Sequence, residues 1–208
     1  KSKIMKYKFI LIIFLFISCD NNSDFHNEKR LTFIASEGNF GSSNASISVF
    51  QGPNQIQKIS NIGDVIQSIK VYDDKLFVLI NNSHLLKIYT ITSSGLSLPG
   101  IEINTHNSGP REMVIVDDYL YFTNWNSRNI KILNLETYFI EDSICVNGAP
   151  EGIVSDGSYL WVAISSGSTV EKIDVNSKQI VETFQVGNGP QQMLIEGSLL
   201  WISRTYYS

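Results

Sequence analysis

The chain has 208 residues, 43% of them hydrophobic and 17% charged, enough for one globular domain with a sizeable core. Its formal net charge is −4, and four of its 16 basic residues (Lys1, Lys3, Lys6 and Lys8) precede a predicted cleavage site, so the remainder carries 12 basic against 20 acidic residues. A surface this acidic argues against a nucleic-acid partner and against electrostatic docking on anionic lipid.

Residues 1–18 read as a targeting segment. Lys6 and Lys8 give a charged start, and Phe9–Ile17 is an unbroken apolar run of nine residues, too short to span a bilayer. Met5 is a plausible true start, with Lys1–Ile4 as read-through. Phe16-Ile17-Ser18-Cys19 has the order of a bacterial lipobox, which predicts lipidation of Cys19. An ordinary secretory signal with an incidental cysteine is the other reading. Residues 19–28 are polar and acidic and read as a flexible tether between lipid and domain.

From residue 29 onward the chain repeats. The template is Gly148–Val186, and it maps onto the chain forty residues to either side: Pro150 onto Pro110 and Pro190, Ile153 onto Met113 and Met193, Trp161 onto Tyr121 and Trp201. A fixed period of about 40–45 residues is a signature of β-propeller blades. Within the template, Gly-x-Pro blocks a helix, Asp156-Gly157 marks a tight hairpin, YLWVAI is aromatic and β-branched, and TVEKIDV and IVETFQV alternate with period two. Four short antiparallel strands, A to D, then make one blade. The predicted fold is all-β, a propeller of about four and a half blades. The blades are expected near 29–61 (with no strand A), 62–103, 104–146, 147–186 and, incomplete, 187–208. The second has a C-to-D region four residues longer, LSLPGIEI being read as its strand D. A ring that starts and stops at strand B implies a chain continuing beyond residue 208 by on the order of 100–150 residues.

The register sorts the loops onto two faces. The A–B and C–D turns share one, where Asp73-Asp74, Asp117-Asp118, Asp156-Gly157 and Glu196-Gly197 read as plain turn chemistry rather than a cation site. The B–C and D–A loops share the other, around the mouth of a central channel. There the sequence places Glu37, Asn39, Phe40, Asn81, Asn82, His106, Arg111, Glu112, Trp125, Asn126, Arg128, Glu151, Gln191, Arg204, Tyr206 and Tyr207. Flat rings supply contact area while amides and Arg supply directional hydrogen bonds, the makeup of a recognition surface. The other reading is that propeller loops are polar anyway and Trp125 covers a blade edge.

Catalytic signatures are missing: no GxSxG, HExxH, P-loop or Cys/His cluster with zinc spacing. His84 and His106 fall on the mouth face and could hold a metal with Glu112, but nothing fixes their spacing, so exposed loop histidines are expected. Cys145 reads as a buried, inert thiol. No cofactor, metal or catalytic residue is expected.

The lipobox, the forty-residue repeat and, most specifically, EGNFGSSNASISVF (37–50) together resemble the YncE-like, YVTN-type seven-bladed propeller lipoproteins of Bacteroidetes, over about residues 16–208. That resemblance implies an exported, surface-exposed outer-membrane lipoprotein, held to the membrane only through its lipid. The group includes cobamide-binding proteins that pass vitamin B12 to a TonB-dependent receptor. It therefore implies a non-catalytic binding protein with a corrinoid as ligand. A propeller enzyme of quinoprotein-dehydrogenase-like or lactonase-like type, and a protein- or glycan-binding surface propeller, are the alternatives.

Overall fold

The computed structural model describes residues 30–205, and all their regular structure is β. Cys19, the tether and the tyrosines at 206 and 207 lie outside the described residues. The first sheet has three strands, β1 (Leu31–Ser36), β2 (Ser46–Gln51) and β3 (Asn54–Ser60). The second contains β4 (Ile66–Tyr72), β5 (Lys75–Ile80), β6 (Leu85–Thr92), β7 (Gly95–Leu96) and β8 (Ile101–Asn104). The third runs β9 (Pro110–Val116), β10 (Tyr119–Asn124), β11 (Asn129–Asn134) and β12 (Ile140–Cys145). The fourth runs β13 (Pro150–Ser155), β14 (Tyr159–Ile164), β15 (Thr169–Asp174) and β16 (Ile180–Gln185). The fifth has β17 (Pro190–Glu196) and β18 (Leu199–Arg204). These are about four and a half antiparallel blades of a β-propeller.

The core lies between sheets, which explains why the middle strand-B segments are mostly apolar. In β5, Leu76, Val78 and Ile80 pack with Ile47 and Val49 of the first sheet, while Phe77 and Leu79 pack with Met113, Leu120 and Phe122 of the third. Tyr121, the next side chain over in β10, turns the other way and packs with Leu160 and Val162 of the fourth. β5, β10 and β14 are buried on both faces, so they cannot alternate apolar with polar.

The forty-residue register holds at atomic level. The N–H that opens each B–C loop donates to the carbonyl just before strand A of the same sheet: Asn81 to Val65 (2.8 Å), Trp125 to Gly109 (2.9 Å), Ser165 to Ala149 (3.0 Å) and Thr205 to Gly189 (2.9 Å). On the opposite face, Ile91 N–H donates to Asp74 O, Leu135 to Asp118 and Val175 to Ser158, tying each C–D turn to an A–B turn. The A–B turns have φ of 50° at Asp73 and Asp117, 94° at Gly157 and 58° at Gly197, the left-handed region that Asp and Gly tolerate.

Two expectations are corrected. LSLPGIEI is not one strand D: its first part forms β7 against the end of β6, and β8 starts only at Ile101. The insertion latches onto the first sheet instead, where the Gln57 side chain accepts from Leu96 N–H (2.7 Å) and donates to Leu96 O (2.9 Å). Cys145 is exposed, not buried. It ends the outermost strand β12, where its neighbours Ile144 and Val146 take the inward positions.

Candidate functional site

The first strands of successive sheets, β4, β9, β13 and β17, lie beside one another and form the inner wall. Each pairs with its neighbouring strand B through a bulge near its start, and in two of the sheets a strand-B hydroxyl fills it. In the third sheet the buried Thr123 hydroxyl accepts from Glu112 N–H (3.0 Å) and donates to Glu151 O (2.6 Å). In the fifth, Ser203 does the same service for Gln192 N–H (3.0 Å). The bulge re-aims the third side chain of each strand, and the four equivalent positions are Ser68, Glu112, Gly152 and Gln192. Glu112 and Gln192, two sheets apart, meet over Gly152, with Gln192 Nε2 donating to Glu112 Oε1 at 3.3 Å. Burial is the largest influence on the Glu112 carboxyl and raises its pKa. Gln192, Arg111 and Lys70 oppose that rise, and Glu151 adds to it.

One residue earlier on the same strands stand Arg111, Glu151 and Gln191. Arg111 Nε lies 3.0 Å from both oxygens of Glu151 and Nη2 2.7 Å from Oε1, a forked ion pair on a carboxylate only 3% exposed. The same guanidinium sits 4.3 Å from the ring centroid of Trp125, a residue 39% exposed. Arg111 therefore commits its Nε and Nη2 to Glu151 and its face to Trp125. It backs the indole with a charged face.

The first B–C loop is a second built feature. Asp64, 6% exposed, accepts from Gly41 N–H at 2.9 Å and from the Asn82 amide, while Asn44 Oδ1 accepts from Asn39 N–H at 2.7 Å. Pinned this way, the loop presents Phe40, 79% exposed. Asp64 was not among the sequence-derived residues; as a lone acid between apolar neighbours, it had only its place before strand A to mark it. Just after it, Val65 adopts φ 65°, the conformation that Gly109 (φ 64°) and Gly189 (φ 62°) take at the equivalent place. A β-branched residue there is a strained exception.

The remaining residues separate into exposed and engaged. Glu37, Asn39, His106, Asn126, Arg128 and Arg204 are exposed. Asn81 donates to Pro110 O (3.0 Å) and Asn126 to Asn107 O (3.2 Å). Gln191 is half-buried, with its carbonyl against Gly152. His84 Nδ1 accepts from Gly109 N–H at 3.2 Å and so is committed to a loop contact. Among the described residues no group of three His, Cys, Asp or Glu is placed to hold a metal.

No family model and no curated protein matches the chain. Solved structures do. A putative 6-phosphogluconolactonase from Bacteroides fragilis aligns with a TM-score of 0.71 at 15% identity, over 85% of this chain and 61% of that one. The dihydro-heme d1 dehydrogenase NirN, in complex with DHE, aligns with a TM-score of 0.63 at 13% identity, over 83% and 40%. Hydrazine synthase from Kuenenia stuttgartiensis aligns with a TM-score of 0.51 at 19% identity, over 58% and 35%. The chain thus spans between about a third and three fifths of the length of these proteins. At such identities the likeness shows the fold, a β-propeller, and nothing of the chemistry.

Proposed function

We propose that the protein is a non-catalytic, ligand-binding propeller, exported and anchored at the outer membrane through lipid on Cys19, whose mouth face captures a corrinoid for a TonB-dependent receptor. The observation that carries the binding reading is the fixed indole of Trp125: its exposed ring is backed by Arg111, which is itself clamped by buried Glu151. A rigid aromatic loses little entropy when a ligand lands on it, and such anchors dominate recognition energetics. Phe40 on its pinned loop, and the exposed Asn39, Asn126, Arg128 and Arg204, share that face. A corrinoid, broad and fringed with amides, is the ligand class that flat contacts and scattered amide-compatible groups suit. The corrinoid and the receptor come from the family resemblance.

Titration of the protein with cyanocobalamin tests this. Trp125→Ala is expected to weaken binding about tenfold or more, a loss of about 1.4 kcal/mol or above, while Asp73→Ala on the opposite face leaves affinity unchanged. No binding at micromolar ligand, or equal losses from both variants, would overturn it.

A second reading, an enzyme on the same fold, is favoured by one observation: Glu112 is a desolvated carboxyl on the inner wall with its pKa raised, the condition of a general acid. Turnover of a lactone substrate that Glu112→Gln abolishes would establish it in place of the first.

A further inference from the structure

The fourth sheet buries a charge in its strand C. Glu171, in the middle of β15, is 0% exposed. It lies directly across from Val162 of β14 and from Thr183 of β16. Val162 and Ile173, on the same face, belong to the core shared with the third sheet.

The two oxygens of this carboxylate differ. Oε1 accepts from the Asn147 amide Nδ2 at 2.8 Å and from Asn147 N–H at 3.2 Å, both in the D–A loop that arrives from the third sheet. Oε2 is buried and has no hydrogen-bond partner among the described residues. Nor does any Lys, Arg or His among them pair with the carboxylate. Asn147 orients the group with neutral donors and leaves its charge in place.

The other sheets show how such a charge is met. The same register position is Lys87 in the second sheet and Lys131 in the third. Lys87 is neutralised from the strand directly opposite, its ammonium 2.8 Å from Glu102 Oε1. In the fourth sheet the residue opposite is Thr183, which offers a hydroxyl oxygen and no charge. A buried charge is tolerated when it is paired or coordinates an ion, and the side chains here supply no pair.

We propose that Glu171 binds one alkali cation, Na⁺ or K⁺, at Oε2 between the third and fourth sheets. The donor set selects the charge. One carboxylate balances one positive charge, whereas a divalent ion is left with excess charge in a buried place. Among the described residues no group of three His, Cys, Asp or Glu stands ready to complete a divalent site. Thr183 lies within cross-strand reach, about 5 Å between Cβ atoms, and brings a second oxygen to the same face. Thr183 and Asn147 are both exposed and mark the way in from solvent. The bound ion ties the Asn147 loop to the fourth sheet. The inference is independent of the mouth-face reading, none of whose residues it uses.

Thermal melts of the protein in sodium, potassium and choline chloride at one ionic strength test it, because a cation held only by the folded chain raises the melting temperature by mass action. Sodium or potassium is expected to raise it by a few degrees over choline, which is too large for a buried site. Glu171→Gln keeps the shape without the charge and is expected to abolish that increment. Glu171→Leu, an apolar side chain of similar size at a core position, is expected to do the same and serves if Glu171→Gln does not fold. Glu182→Gln, an exposed carboxylate on the neighbouring strand, is expected to keep the increment in full. Equal melting temperatures of the parent in all three salts, or an increment that survives in a folded Glu171 variant, would overturn the proposal.

Discussion

A single carboxyl on the inner wall carries a pH signature. Glu112 is held by burial with its pKa above the ordinary value of 4.5, against the opposing pull of Gln192, Arg111 and Lys70. A raised folded-state value means that the native state binds the proton more tightly than the unfolded chain. The resulting stabilisation is complete below about pH 4.5 and is lost as pH rises through the folded value. Glu112→Gln keeps the shape without the charge. It is expected to melt higher than the parent at neutral pH, with the difference closing below about pH 4.5. Thermal melts across that range check it, and a parent that melts higher at neutral pH would show that the carboxylate is stabilised by its cationic neighbours instead. The residue scale also shows where side-chain identity hides its role. Arg111 and Glu151 are both legible as mouth-face residues, but their pairing across forty positions is not, because it depends on two inner strands lying side by side.

At the level of strands, the inner wall depends on one missing side chain. A Cβ at Gly152 would run into the carbonyl oxygen of Gln191 in β17, which is backbone and has nowhere to go. Gly152→Ala is therefore expected to cost roughly 1–3 kcal/mol, as overpacking does, and to lower the melting temperature by several degrees. Gly167→Ala is the control, since a Cβ there meets only ordinary contacts at 3.7 Å and beyond. Calorimetry of the two variants compares them, and equal melting temperatures would mean that β13 and β17 separate freely. Because Gly152 also lets Glu112 and Gln192 meet, the substitution is expected to disturb the inner wall as well as the packing.

At the scale of the whole molecule, the fifth sheet presents a face its predecessors keep covered. Leu194, Leu199 and Trp201 are 58–59% exposed, while Tyr121, the equivalent of Trp201 two sheets earlier, is packed against the fourth sheet. Burial of such surface contributes about 25 cal/mol per Å², and β18 also offers a strand edge without a partner among the described residues. The 208-residue chain is expected to associate with rising concentration, and Leu199→Lys with Trp201→Lys to shift it toward monomer by about tenfold or more in dissociation constant. Light scattering after size exclusion measures both. Association unchanged by the double substitution would place the contact elsewhere.

Repetition made much of this protein legible without coordinates. Pro110, Pro150 and Pro190 at a forty-residue spacing, the left-handed turns at Asp73, Asp117, Gly157 and Gly197, and the apolar strands B follow from local stereochemistry and from burial on both faces, which each copy repeats. The sorting of loops onto two faces follows from strand alternation alone. Non-local geometry decided the rest. Asp64 became a loop anchor only because Gly41 and Asn82 converge on it from other loops. The fate of LSLPG was settled by Gln57, thirty-nine positions before Leu96, and the outward turn of Cys145 by its place on an outermost strand. A cavity beside Tyr121 lies on the face whose turns read as plain turn chemistry. Lys178 of one sheet reaches Asp142 of the sheet before it there, and a contact between neighbouring sheets is set by how they pack, which no single repeat encodes.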